Sequence, residues 1–267
     1  MLEDKRELAY ERNYKIIKSN EIIRHTRFDL TKEEFKLLSY ILSKIKPTDT
    51  EFTSYTLSLK DYCVVCGIDY NNRNNYDYIK KAAKKLRDRS FWMVDTEGND
   101  LLFSWVTRVK ILRGVGKIEF KLSEDLQKHV MGLFDNFTQI TLLSILPMNS
   151  VYSMRLYELL KSYAFTGSAE FELNDLKGKL FAENYKMYKD FRVRVLEIAI
   201  KEINTYTDIE VQFEPQKNGR KVEAIKFHIK QLDGIREYIN LEKARNVIEG
   251  QMTIDQFFEK EKNEWQK

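Results

Sequence analysis

Apolar residues recur along this chain at two periods, 3.6 and 2, and the switches between them mark out elements in a repeated order. Thr31 and Glu34 carry the capping-box signal, after which Phe35, Leu38, Ile41, Leu42 and Ile45 supply the buried stripe of a helix expected to end near Pro47. Residues 55–59 alternate like an edge strand, and residues 59–67 read as a short helix with Gly67 as its C-cap. A polar turn is expected over 71–75. From Tyr76 onward Ile79, Ala82, Ala83 and Leu86 face inward on an amphipathic helix whose outer side carries Lys80, Lys81, Lys84, Lys85 and Arg87. Strands follow at 91–96 and 101–112 about a Glu-Gly-Asn-Asp turn. Its acidic tip, Glu97 and Asp100, predicts a wing that keeps away from phosphate.

The second half repeats the order. A helix is predicted over 152–163, a strand over 169–173, and a small helix over 175–181 capped by Asn174. Then comes a helix over 185–205. Phe191, Val195, Leu196, Ile198, Ala199, Ile200 and Ile203 form its apolar arc, and Asp190, Arg194, Glu197 and Lys201 its charged stripe, spaced for i,i+4 ion pairs. Two β-like runs, 207–214 and 221–230, flank a turn over 215–220 with Asn218-Gly219 at its apex. A helix followed by a two-stranded wing with a basic tip is how a winged helix-turn-helix meets DNA.

Pairing Tyr40 with Tyr157, Ala82 with Ala199, Lys84 with Lys201 and Leu86 with Ile203 gives one common offset of about 117 residues, as expected of two copies of one module. The strands FWMV and DIEV fall at the same offset. The expected fold is therefore α+β: two tandem winged-helix domains related by an internal repeat. Residues 1–12 read as a flexible leader, 13–135 as the first domain, 136–150 as an apolar linker, 151–232 as the second domain and 233–267 as a charged C-terminal tail, loosely attached. The linker is too apolar to be free in water. It packs between the domains or makes a dimer contact, and composition does not choose.

With 267 residues, 43% of them apolar, the chain can bury a core in each domain. Its 45 basic and 41 acidic residues leave a net charge of only +4, so where the charges lie matters more than their sum. The basic face of the helix after Tyr76 reads as a phosphate-binding surface or as an ordinary solvated face. Two cysteines and a polar N-terminal stretch point to the cytoplasm, and nothing reaches the roughly 20 apolar residues of a membrane span.

No catalytic constellation emerges. Cys63 and Cys66 have metal spacing without a second pair, and His25, His129 and His228 are scattered, so the cysteines read as core residues and no metal or cofactor is expected. Arg113-Gly114-Val115-Gly116-Lys117-Ile118 lacks the first glycine and the final Ser or Thr of a phosphate loop, and reads as a hairpin turn. A nicking enzyme would need a His-x-His metal motif, which is absent. Near the end, Gln251, Ile254, Phe257 and Phe258 have the spacing of a sliding-clamp-binding peptide, or else form one face of a terminal helix docked on the body.

The blocks NYKIIKSNEII…FDLTKEEFKLLSYILSKI, RLYELLKSYAFTGSAEFELNDLKGKL and YKDFRVRVLEIAIKEINTYTDIEVQFEPQKNGRKVEAIKFHI resemble initiator Rep proteins of iteron-containing, theta-replicating plasmids, over most of residues 13–231. That resemblance implies a DNA-binding initiator without nuclease or ATPase activity. It would bind repeated double-stranded origin DNA as a monomer, dimerise through the first domain to repress its own promoter, and act with host DnaA and the replicative helicase. It implies that Lys189, Arg192 and Arg194 read bases in the major groove, a role arginine fills by bidentate contact with guanine. Arg192 falls in the apolar arc of the helical wheel and would serve only by fanning out near the helix start. Lys186, Lys217, Arg220 and Lys221 would meet phosphates, as would Arg73, Lys80, Lys81 and Lys84 in the first domain, and Lys201 joins the second set from its place on the charged stripe. The alternative is a winged-helix transcriptional regulator with no role in replication.

Overall fold

The computed structural model describes residues 10–27, 29–46, 49, 54–69, 73–94 and 97–250. Strand β1 (Lys15–Ser19) runs into helix α1 (Asn20–His25), where the Ser19 hydroxyl accepts from the Ile22 amide. Helix α2 (Lys32–Leu42) opens with the anticipated capping box: Thr31 Oγ1 accepts from Glu34 N and Glu34 Oε2 from Thr31 N, both at 3.3 Å. It stops at Leu42, short of Pro47. Strand β2 (Ser54–Ser58) leads to α3 (Leu59–Cys66), closed by Gly67 at φ +69°. Helix α4 (Arg73–Asp88) starts inside the segment expected to be a turn.

After α4 the structure departs from the sequence reading. Strand β3 (Ser90–Val94) pairs only with β4 (Asp100–Ser104), in a two-stranded sheet of its own. The strand expected over 101–112 breaks at Trp105, which is wholly buried. The chain then enters β5 (Val106–Leu112) and β6 (Lys117–Leu122), which join β2 in a sheet of order β2-β6-β5. Strand β7 (Phe137–Thr141) pairs antiparallel with β1 and is followed by α5 (Leu142–Ile145). Residues 136–150 are thus no free linker: Leu142, Leu143, Ile145, Leu146 and Met148 are all buried.

The second domain follows as α6 (Val151–Lys161), β8 (Ser168–Glu172), α7 (Leu173–Lys179), α8 (Tyr188–Phe191), a π turn over Arg192–Leu196, α9 (Glu197–Tyr206), β9 (Ile209–Asn218) and β10 (Lys221–Gln231). Its sheet order, β8-β10-β9, repeats β2-β6-β5. The molecule is α+β, with two winged-helix domains on one plan. Of the eight helical residues that define the repeat offset, the six apolar ones are buried and Lys84 and Lys201 are both exposed. The offset fails beyond them, because FWMV lies in β3, which belongs to an inserted hairpin, while DIEV leads into β9. The counterparts of β9 and β10 are β5 and β6. Helix α7 also differs in its cap: it is Glu172, not Asn174, whose carboxylate accepts from Asp175 N at 2.8 Å.

The two domains share one continuous core. At their seam Lys18 of β1 meets Glu158 of α6 at 2.5 Å, with both side chains at most 2% exposed. Arg155 beside them donates to the carbonyls of Ile23 and Thr26 at 2.6 and 2.9 Å. Such a buried pair persists only where close geometry and further hydrogen bonds offset the loss of hydration.

Helix α10 (Gly234–Ile248) spans the molecule rather than hanging loosely from it. In the second domain Asn240 Nδ2 donates to Asn204 O at 3.1 Å and Thr207 O at 2.9 Å. In the first, Arg245 reaches Asn13 and Glu249 pairs with Arg12 at 2.8 Å. Arg12, expected in a mobile leader, is 4% exposed and also donates to the carbonyls of Val65 and Val64. A Cβ on Gly67 would stand 2.2 Å from the Ile248 carbonyl oxygen, so the left-handed cap of α3 and the end of α10 fit only with glycine there.

Candidate nucleic-acid interface

The charged-stripe helix of the second domain begins at Tyr188, later than the expected 185, and contains the π turn. Its buried residues explain why. Phe191, Val195, Ala199 and Ile203 recur every four residues, a spacing that drifts by about 40° per step on a regular α-helix. One wider turn absorbs part of that drift and keeps the stripe on the core. The same turn leaves Arg192, Val193 and Arg194 exposed in succession. Ile198, assigned to the apolar arc, is instead 44% exposed.

Arg192 does fan outward, and its Nε meets Glu197 at 2.8 Å across the five-residue spacing a π turn favours. The expected Asp190–Arg194 pair does not form. Arg194, Lys189 and Lys186 are exposed with no side-chain partner among the described residues, and Lys201 is exposed on the next turn. Lys177 fixes the helix start from beneath: its ammonium donates to Lys186 O at 3.3 Å and sits 5.5 Å from the centre of the buried Phe191 ring. Burial pushes its pKa below the usual lysine value, the Lys186 charge adding to the effect.

The wing of this domain is tighter than expected. Residues 215–218 belong to β9, Asn218 pairs with Lys221, and the turn is Gly219-Arg220. Lys217, Arg220 and Lys221 surround the tip, exposed and without ion pairs among the described residues.

In the first domain α4 buries Ile79, Ala82, Ala83 and Leu86 and turns Lys81, Lys84, Lys85 and Arg87 to solvent, with Lys80 half-buried. Lys80 stands 5.3 Å from the Tyr76 ring centre, and Lys84 pairs with Asp88 at 3.0 Å on the open surface, where such a pair contributes little. Arg73 is the first residue of α4. An open groove of about 700 Å³ runs between α4 and β5, lined by Lys80, Lys81, Lys84 and Arg87 on one side and by Arg108, Val109 and Ile111 on the other.

The sheet topology moves the wing of this domain. The β3–β4 hairpin, with its acidic tip at Glu97 and Asp100, is the insertion. The hairpin equivalent to the second domain's wing is β5–β6, and its tip is Arg113-Gly114-Val115-Gly116, followed by Lys117. The sequence reading recognised a turn there but not its place in the module. The signal it lacked was strand pairing, since a β5 that pairs with β6, as β9 pairs with β10, makes 113–116 the homologue of 219–220.

Gln251, Ile254, Phe257 and Phe258 lie outside the described residues. Cys63 is buried and Cys66 half-buried, and burial pushes their thiols up to about 11 and about 12, away from the reactive thiolate. Among the described residues no three His, Cys, Asp or Glu side chains come together to hold a metal ion, and no helix is long and apolar enough to cross a membrane.

Comparison with known proteins agrees with this architecture. Residues 15–161 match the family model described as initiator replication protein, WH1, and residues 172–229 match that of initiator Rep protein, WH2. The fold is similar to a crystal structure of Pi initiator protein in complex with iteron DNA, with a TM-score of 0.68 and 20% sequence identity over 83% of this chain and 98% of that one. A second solved structure, the WH1 domain of the replication protein MSBI1.176, isolated from a multiple sclerosis patient, aligns at 18% identity over 35% of this chain and 73% of its own, with a TM-score of 0.28. On the family match, which spans both halves of the internal repeat, the chain belongs to the family of initiator replication proteins with tandem WH1 and WH2 domains.

Proposed function

We propose that this protein initiates plasmid replication by binding repeated, iteron-type double-stranded DNA at an origin. The second domain selects the sequence and the first grips the backbone. The observation that carries the reading is the equivalence of two outward faces on one repeated plan: the lysine face of α4 and the arginine face of the π-turn helix, each beside a basic wing. Pi initiator protein, of the same fold, is known in complex with iteron DNA.

Arg194, Arg192 and Lys189 are the base readers in this proposal. Val193, 49% exposed between the two arginines, suits contact with a thymine methyl group. Lys186, Lys201, Lys217, Arg220 and Lys221, with Arg73, Lys80, Lys81 and Lys84, are the phosphate contacts. Membership of the family extends the proposal to host DnaA and the replicative helicase as partners in the cytoplasm, and to a dimer that represses its own promoter. The clamp-peptide reading of 251–258 stands only on its spacing.

Gel-shift titration of the purified protein against the DNA flanking its gene tests the core of this reading. Binding confined to tandem direct repeats, in steps equal to the number of repeats, is the expected result, and equal binding to unrelated DNA removes the initiator assignment. A minimal plasmid carrying the gene and those repeats then separates an initiator from a transcriptional regulator of the same fold, because only the initiator sustains replication.

A further inference from the structure

We propose that the tip of the first-domain wing, residues 113–117, enters the minor groove of A·T-rich DNA, with Arg113 as a specificity-determining residue and Val115 as an apolar wedge. This inference rests on the reading that α4 lies against a duplex. The groove between α4 and β5 is lined by four cations and Asp77 on the helix and by Arg108, paired with Glu119 at 2.9 Å, on the strand, so it is basic overall and opens α4 and β5 to the same partner, and β5 continues from it into the β5–β6 hairpin. With α4 in or over a major groove, the next groove along the duplex is a minor one.

Three features of the tip suit that groove better than a phosphate ridge. The first is width. A minor groove is about 6 Å wide, and the tip carries Gly114 at φ +80° and Gly116 at φ +62°, which leave two of four positions without side chains. A Cβ on Gly114 would meet no atom within 4 Å, so neighbours do not impose glycine there; the thin, left-handed backbone does. The second is charge. Arg113 is exposed and has no ion pair or hydrogen bond among the described residues, which is the state of a side chain available to the strong negative potential of a narrow A·T minor groove. The third is Val115, 61% exposed between the glycines. An apolar residue contributes nothing to a phosphate contact, but minor-groove proteins insert such residues at base steps.

The tip is also held in place. Leu59 N, at the start of α3, donates to Gly116 O at 2.9 Å, and Lys117 pairs across β2 with Ser58. The second wing offers a contrast, since its apex, Gly219-Arg220, is flanked by lysines and bears no apolar side chain. It has the make-up of a phosphate contact.

The test uses the full chain and a random duplex pool, selected in parallel with wild type and Arg113→Ala. Wild type is expected to recover a block of A·T pairs at a fixed distance from its major-groove bases, and the variant to recover those bases without the block. In the selected duplex, replacing the block by G·C should cost wild type about tenfold in affinity, because the guanine 2-amino group fills the groove floor. Replacement by inosine·cytosine, which keeps the G·C major-groove edge but lacks that amino group, should cost less than about twofold, well under the loss for one mismatched pair. Arg113→Lys should keep the salt dependence and lose the discrimination. Equal losses with G·C and inosine·cytosine, or an Arg113→Ala effect uniform over all sequences, overturn the minor-groove role while leaving the initiator reading intact. Failure of wild type to select any sequence overturns both.

Discussion

Helix α4 and the π-turn helix occupy equivalent places in two copies of one module, yet they offer different chemistry. Helix α4 is a regular α-helix whose outer face is mostly lysine, a hydrated point charge on a flexible stem. Its counterpart is wound unevenly and presents arginine, whose planar fork fits a base edge in only a few orientations. In the proposed reading a repeated fold divides labour without changing its sheet order, through the residue type on one face and the pitch of one turn. The two faces keep a fixed relation only while the seam between the domains holds.

The seam is where the largest effect is expected. Lys18→Met leaves Glu158 only the more distant Arg155 guanidinium, at 3.7 Å, and should cost about 3 kcal/mol of stability in urea unfolding, with part of it recovered in Lys18→Met/Glu158→Leu, where Arg155 in turn loses its carboxylate. A loss no greater for the single than for the double variant would mean the pair does not lock the domains. Next comes the arginine face: Arg194→Ala should cost about 1–3 kcal/mol on a preferred duplex and relax selection at one base position, while binding to random DNA changes little. Equal losses on both would move Arg194 to the phosphate set. Lys84→Ala should be milder and uniform over sequence, lowering the slope of log affinity against log salt by about one.

The smallest effect separates the domains by pH. His129 is buried in the first domain, with Nδ1 2.9 Å from the Ser19 hydroxyl and Nε2 lacking a hydrogen-bond partner among the described residues, and burial holds its pKa below the usual 6.5 despite the nearby Glu21 carboxylate. The folded state therefore binds this proton less readily than the unfolded chain. That contribution to stability is complete above pH 6.5 and declines as pH falls through that value. Thermal melts from pH 7.5 to 5 should fall for wild type and fall less for His129→Gln. Parallel curves would rule this histidine out.

Much of the molecule was legible in the chain because short-range signals sufficed. The capping box at Thr31, the glycine cap at Gly67 and the apolar stripe of α4 each depend on residues within a turn or two of one another. What was missed depends on distant partners. The break at Trp105 follows from burying an indole between two sheets, and no local pattern marks it. Without that break, β3–β4 passes for the wing and the basic tip at Arg113 for an incidental turn. The charged-stripe helix departs from expectation for a related reason, since a wheel drawn at 100° per residue has no place for a π turn, and it put Ile198 inside and Arg192 among apolar neighbours. Asn174 lost its cap role to Glu172 because α7 begins at Leu173, two residues earlier than the pattern indicated.

The clasp between Arg12 and Glu249 joins positions separated by 237 residues of sequence. Closing so wide a circuit demands that both domains already be folded and correctly docked, which makes it one of the last contacts to form and an early one to open. Amide exchange along α10 is therefore a clock for the finished molecule: protection there should arrive after protection in either three-stranded sheet, and should vanish first when the two halves begin to part.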